Sequence, residues 1–151
     1  MTKSKSRKQI FLTYAHRDKK PVRQLYDRMI RNHLKVWLDE KELLPGQNWK
    51  HEIRQAILRS DAVLVCLSRQ FSRQGGYRHA ELKIALERAS SLPEGPIFII
   101  PVRLERCEVP ERLRQWQYVN LFEADGFMKL LGVLKGVDYP SRCAVFRRRS
   151  I

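Results

Sequence analysis

Apolar positions cluster in five short, β-rich runs: Gln9–Tyr14, Lys35–Leu38, Ala62–Ser68, Ile97–Arg103 and Gln117–Leu121. Between the runs they recur every three or four residues. A short continuous or alternating apolar run belongs to a strand, and a 3.6-residue period belongs to a helix buried along one face. Their alternation predicts a parallel sheet covered by helices on both faces. Ala62–Leu67 and Ile97–Val102 are almost continuously hydrophobic, as strands buried on both faces must be, so they are expected in the middle of the sheet.

Asp18 can cap a helix reaching about Asn32, with Val22, Leu25, Tyr26, Met29 and Ile30 as its inward stripe. A second helix, Trp49–Arg59, should turn Ile53, Ala56 and Ile57 inward. Another runs from Tyr77 to about Ser90 after the Gly75-Gly76 break, and the last spans Ala124–Leu134. The charged stretch 103–116, interrupted by Pro110, predicts only a short irregular helix. Residues 9–135 therefore read as one domain between two basic tails, 1–8 and 136–151. Right-handed crossovers and five strands favour the flavodoxin-like order 2-1-3-4-5. Ligands of such sheets bind beyond the carboxyl ends of the strands, at the switch between the first and third. Those ends lie at Tyr14–Arg17 and Ser68–Gly76, with the loop Asp39–Asn48 beside them.

The 151 residues are enough for one core, and 43% hydrophobic with 30% charged content is ordinary for a folded domain. No apolar run approaches the ~18 residues of a membrane helix, and the basic N-terminus leads into a strand-length run without a signal-peptide core. A cytoplasmic protein with no membrane partner is expected. Cys66, Cys107 and Cys143 are odd in number and lack metal spacing, so neither disulfides nor zinc is expected, and Cys66 reads as a core residue. The net charge of +14 raises the question of nucleic acid. Residues 1–8 contribute four positive charges and residues 136–151 a net three, which is half the total. Basic tails without interleaved aromatics are poor evidence for readout, and specific nucleic-acid recognition is disfavoured.

Several chemistries of this topology are missing. A phosphoacceptor reading needs acids after the first strand and an aspartate ending the third, where the chain has Tyr14-Ala15-His16-Arg17 and Leu67-Ser68. No GxxxxGK[ST], GxGxxG or GxSxG motif occurs, and His16, His33, His51 and His79 show no metal spacing.

One residue interrupts the apolar stripe of the helix that begins at Tyr77. Tyr77, Ala80, Glu81, Ile84 and Ala85 share a face, which sets a carboxylate among apolar neighbours near the helix start. Spacing alone leaves two readings open: a functional acid facing a pocket, or an acid on the edge of the face that complements the helix dipole. Glu87 should be solvated.

Taken in order, Ile10-Phe11-Leu12-Thr13-Tyr14-Ala15, Val36-Trp37-Leu38-Asp39, Leu44-Pro45-Gly46, Leu67-Ser68 with Phe71, then Tyr77 and Glu81, resemble a Toll/interleukin receptor (TIR) domain of prokaryotic type over residues 9–135. The resemblance implies the flavodoxin-like fold, self-association through TIR–TIR contacts, and in many members an NAD glycohydrolase whose catalytic glutamate matches Glu81. It also implies that the loop Asp39–Asn48 gates the pocket and contacts neighbouring subunits. Tyr77 stands where the family usually has Trp, and either ring can stack on a flat heterocycle. On this reading NAD is the substrate, with no further cofactor and no metal. Substrate contacts are expected from Tyr14, Ala15, His16, Asp39, Leu43, Gly46, Trp49, Ser68 and Tyr77. Trp37 reads first as core, Phe71 as packing, and Pro45-Gly46 as an ordinary turn. The other function the resemblance allows is a non-catalytic TIR scaffold.

A lone carboxylate suits this reaction. Glycosidases use two carboxyl groups because a departing alkoxide needs a proton. Nicotinamide in NAD is already cationic and leaves neutral, so what remains is to stabilise the positive charge growing on the ribose.

Overall fold

Five parallel strands form one sheet in the order β2-β1-β3-β4-β5. They are β1 (Gln9–Thr13), β2 (Lys35–Trp37), β3 (Ala62–Leu67), β4 (Ile99–Arg103) and β5 (Val119–Asn120). The computed structural model describes residues 9–73, 77–93 and 97–136, with the backbone alone at 72, 73 and 77–79. All six residues of β3 are buried, which explains its unbroken apolar sequence. Phe11 pairs with Trp37 on one side and Val63 on the other, and Val65 pairs with Pro101.

Alternation along β1 divides the core into two layers. Ile10, Leu12 and Tyr14 face one layer, where helices α1 (Lys19–Arg31) and α6 (Gly126–Lys135) pack through Val22, Leu25, Met29, Phe127, Leu130 and Leu134. Phe11 and Ala15 belong to the other layer. There α3 (Trp49–Arg59) and α5 (Tyr77–Ser91) contribute Ile53, Ala56, Ile57, Leu82 and Ala85. Two short helices, α2 (Asp39–Glu42) and α4 (Arg69–Arg73), escape a periodicity reading because neither completes the two turns needed to show a stripe. The stretch 103–116 forms a single 3-10 turn, Glu111–Leu113, as expected from its charge and Pro110.

Some expected positions shift. Met29 takes the inward place at the end of α1 and leaves Ile30 exposed, since consecutive helical residues lie about 100° apart. Asp18 occupies the N-cap position of α1 but makes no side-chain cap bond. The fourth strand starts at Ile99, with Ile97 exposed before it. The last helix begins at Gly126 instead of Ala124, where a Cβ would lie 2.0 Å from the Asn120 carbonyl oxygen, so only glycine permits this approach of helix to edge strand. Cys66 is fully buried in the core, and burial pushes its thiol well above the ordinary range. No helix among the described residues is long and apolar enough to cross a membrane. The Gly75-Gly76 break and residues 1–8 and 137–151 of the tails lie outside the described residues.

Candidate active site

Thr13, the last residue of β1, points toward α5 because it shares the strand face of Phe11 and Ala15. Its hydroxyl donates to Oε1 of Glu81 at 2.6 Å. Glu81 lies one turn before Ala85 on the inward side of α5, between buried apolar neighbours, and is only 2% exposed; Thr13 is 1% exposed. A carboxylate so placed is tolerated only with hydrogen-bond partners, and a hydroxyl donor inside the core supplies one.

Glu81 borders a groove of about 720 Å³ between α3 and α5. Trp49, Lys50, Ile53 and Arg54 line it from α3, and Ala80, Glu81 and Ile84 from α5. The helical spacing selects these residues: 49, 50, 53 and 54 recur at three and four, as do 80, 81 and 84. Glu81 forms the floor, while Trp49 is 42% exposed.

The segment before α3 is tied down at three places. The Tyr14 hydroxyl donates to Oδ1 of Asp39 at 2.6 Å, and that oxygen also accepts the Glu40 N–H. Leu44 to Gln47 close a turn through a 3.1 Å Gln47 N–H to Leu44 carbonyl bond, with Gly46 at φ +91°. Proline at the second position and positive-φ glycine at the third are what a type II turn requires. Asn48 then caps α3 by accepting the His51 N–H at 3.1 Å. Between these anchors Leu43 is half-buried against the layer that holds Glu81, and Leu44 is 62% exposed.

A second buried acid lies at the start of α1. The Ser68 hydroxyl donates to Oδ2 of Asp18 and accepts the N–H groups of Gln70 and Phe71 at 3.1 and 3.2 Å, which caps α4. Burial raises the Asp18 carboxyl above its ordinary value, Ser68 opposes that shift, and the nearby charge of Glu105 adds to it. Neither Asp18 nor Ser68 borders the groove.

Of the residues expected to contact substrate, Glu81 and Trp49 share the groove wall, and Leu43 and Gly46 belong to the loop leading into α3. Tyr14 and Ala15 do not line the groove: Tyr14 is buried in the opposite layer as the anchor of Asp39, and Ala15 is fully buried. Ser68 is engaged with Asp18, and His16 is exposed in the turn before α1. The side chain of Tyr77 lies outside the described residues. Trp37 is half-buried and stacked on Phe11, centroids 5.1 Å apart, so the core reading holds; Phe71 is packed. The sequence reading missed Thr13, Lys50 and Arg54. Thr13 had a visible signal, the one hydroxyl inside an apolar strand, but its partner is 68 residues away.

A family model described as "TIR domain" matches residues 10–131. The chain is 26% identical over 152 residues to the NAD(+) hydrolase TcpA of Theionarchaea archaeon (strain DG-70-1), a match covering 94% of this chain but 41% of that relative's length. Among solved structures, the TIR domain of the Toll-related receptor TRR-2 from Hydra magnipapillata superposes with a TM-score of 0.69 at 22% identity, covering 83% of this chain and 97% of that one. The TIR domains of the activated Roq1 resistosome reach 0.59 at 23% identity, covering 95% and 80%. A CMP N-glycosidase, BcmB, from Clostridium botulinum reaches 0.56 at 17%, covering 83% and 98%.

Proposed function

The chain belongs to the TIR domain family, and on that premise we propose that it hydrolyses NAD at the nicotinamide–ribose bond with Glu81 as its catalytic carboxylate. The observation that carries this reading is the placement of a buried acid, held by Thr13, on the lining of a groove large enough for a cofactor-sized molecule. A relative named as an NAD hydrolase supports the substrate, and a neighbour of this fold named as an N-glycosidase supports the bond class.

In the mechanism, the ribose approaches the groove floor and the C1′–nitrogen bond lengthens. Nicotinamide leaves as a neutral molecule, so no general acid is required. The Glu81 carboxylate offsets the charge growing on the ribose, an interaction strengthened where water is excluded. Water then adds to C1′ and loses a proton, giving ADP-ribose. Because Glu81 is almost wholly buried, a movement beside it must admit the substrate, and assembly of subunits through the loop 39–48, which leads into the groove-lining α3, is the natural means of switching activity on. A role in defence signalling in the cytoplasm fits an enzyme that consumes NAD only when assembled.

A second reading is a scaffold that binds other TIR domains without turnover. It is favoured by Leu44 and Trp49, two large apolar residues exposed at and beside the loop. Incubation of concentrated protein with NAD separates the two. The enzyme reading predicts nicotinamide release that Glu81→Ala abolishes; release unaffected by that change removes Glu81 from catalysis, and no release in any assembled state leaves the scaffold.

A further inference from the structure

The groove carries charge of both signs. Glu81 lines it from α5, and its α3 wall presents Lys50 and Arg54, four residues apart and therefore on one helix face about 6 Å apart along the axis. Like charges at this spacing destabilise a helix unless something compensates them. Among the described residues no acid pairs with either; the ion pairs present are Arg23–Glu40, Arg69–Glu105 and Lys129–Asp125. Lys50 instead holds its ammonium 5.7 Å from the Trp49 ring, beside the groove. Between wall and floor the lining is apolar, with Ile53 and Ile84.

We propose that Lys50 and Arg54 form an anion subsite that takes the phosphate groups of a nucleotide, so that the groove is built for a phosphorylated substrate and discriminates against nucleosides. This rests on the reading of Glu81 as the group that faces the sugar. A nucleotide is the complement of the pattern: its sugar carbon becomes cationic at one end, and its phosphates are anionic a few bonds away. Arginine offers a planar fork that binds phosphate through two N–H groups, and lysine offers a compact charge. Two cations one turn apart match a diphosphate better than a single phosphate. The basic surface of the chain adds long-range attraction for the same ligands.

The test uses the full chain carrying Glu81→Gln, so that binding is read without turnover. Calorimetric affinities are measured for ADP-ribose with two phosphates, cytidine monophosphate with one, and nicotinamide riboside with none. Adding Lys50→Ala and Arg54→Ala should weaken ADP-ribose roughly 30- to 100-fold, as expected for charge-assisted hydrogen bonds. It should weaken cytidine monophosphate less and leave nicotinamide riboside within about twofold; exposed positions on α3 tolerate these changes, and Arg54→Lys, which keeps the charge but loses the two-pronged contact, should restore only part of the affinity. The salt dependence of ADP-ribose binding should flatten in the double variant. Equal weakening of all three ligands, unchanged ADP-ribose affinity, or no saturable ADP-ribose binding to the starting protein would overturn the subsite. Tighter dependence on the pair for cytidine monophosphate than for ADP-ribose would overturn the diphosphate match. Failure of the turnover reading is seen separately: a chain that binds ADP-ribose through Arg54 but never releases nicotinamide keeps the subsite and loses the reaction.

Discussion

Glu81 and Asp18 are two buried acids that share one kind of partner. Each accepts a hydrogen bond from a hydroxyl at the carboxyl end of a central strand, Thr13 for one and Ser68 for the other. Their surroundings differ. Asp18 joins the start of α1 to the cap of α4, where its hydroxyl partner also serves two backbone N–H groups. Glu81 borders a groove whose facing wall carries an aromatic and two cations that pair with no acid among the described residues. Burial of an acid is therefore not by itself a sign of function. What separates the two is the empty volume beside one of them and the use to which the neighbouring hydroxyl is put.

Removing the charge of each acid in turn separates the two sites most clearly. Replacing Glu81 by Gln keeps shape and removes charge, and nicotinamide release should fall by about 10³-fold or more, as for loss of a main electrostatic stabiliser, with little change in thermal midpoint. Asp18→Asn should leave release within a few-fold and act on stability instead. A large loss of activity in Asp18→Asn with none in Glu81→Gln would reverse the assignment. Next comes Thr13→Val, which removes the hydroxyl that donates to Oε1 of Glu81. A hydrogen bond to a charged group is worth about 1.5–3 kcal/mol, so kcat should drop roughly 10- to 100-fold, while Thr13→Ser restores most of it.

At the second site Ser68→Ala takes away both the Asp18 partner and the α4 cap, and should lower the folding free energy by about 1–3 kcal/mol in denaturant titrations with little effect on release. The pH dependence of stability follows from Asp18. Its carboxyl is raised, chiefly by burial, so the folded state holds the proton more tightly than the unfolded chain. Stability should then decline as pH rises from the ordinary value of 3.8 through the raised folded one, and Asp18→Asn should remove that part of the decline. The smallest effect is expected at the loop: Gly46→Ala strains a φ of +91° by about 1 kcal/mol, and should raise KM a few-fold while leaving the Asp18 junction unchanged.

The sheet was legible because β1, β3 and β4 are apolar on both faces and nothing competes with that pattern. Helices longer than two turns were legible by period, and Trp49–Arg59 was placed at its observed bounds. The site was less so. Glu81 stood out as an acid within an apolar stripe, but whether it faced a groove or an edge depended on α3, which spacing within α5 does not specify. Tyr14 and Ser68 were placed correctly at the strand ends, yet alternation sends the Tyr14 ring to the opposite layer, and Ser68 meets an aspartate 50 residues away. Lys50 and Arg54 look in sequence like any solvated helix face, and only the packing of α3 against α5 puts them across from Glu81.

Catalysis by Glu81 requires its carboxylate to meet the sugar of the substrate. Protein labelled with carbon-13 at Glu and Asp carboxyl groups, with Glu81→Gln and Asp18→Asn used to assign the two signals, can be titrated with carba-NAD, whose nicotinamide bond does not break. A saturable shift of the Glu81 signal and a stationary Asp18 signal are expected. A shift at Asp18 with none at Glu81, or saturation without movement of either, would contradict it.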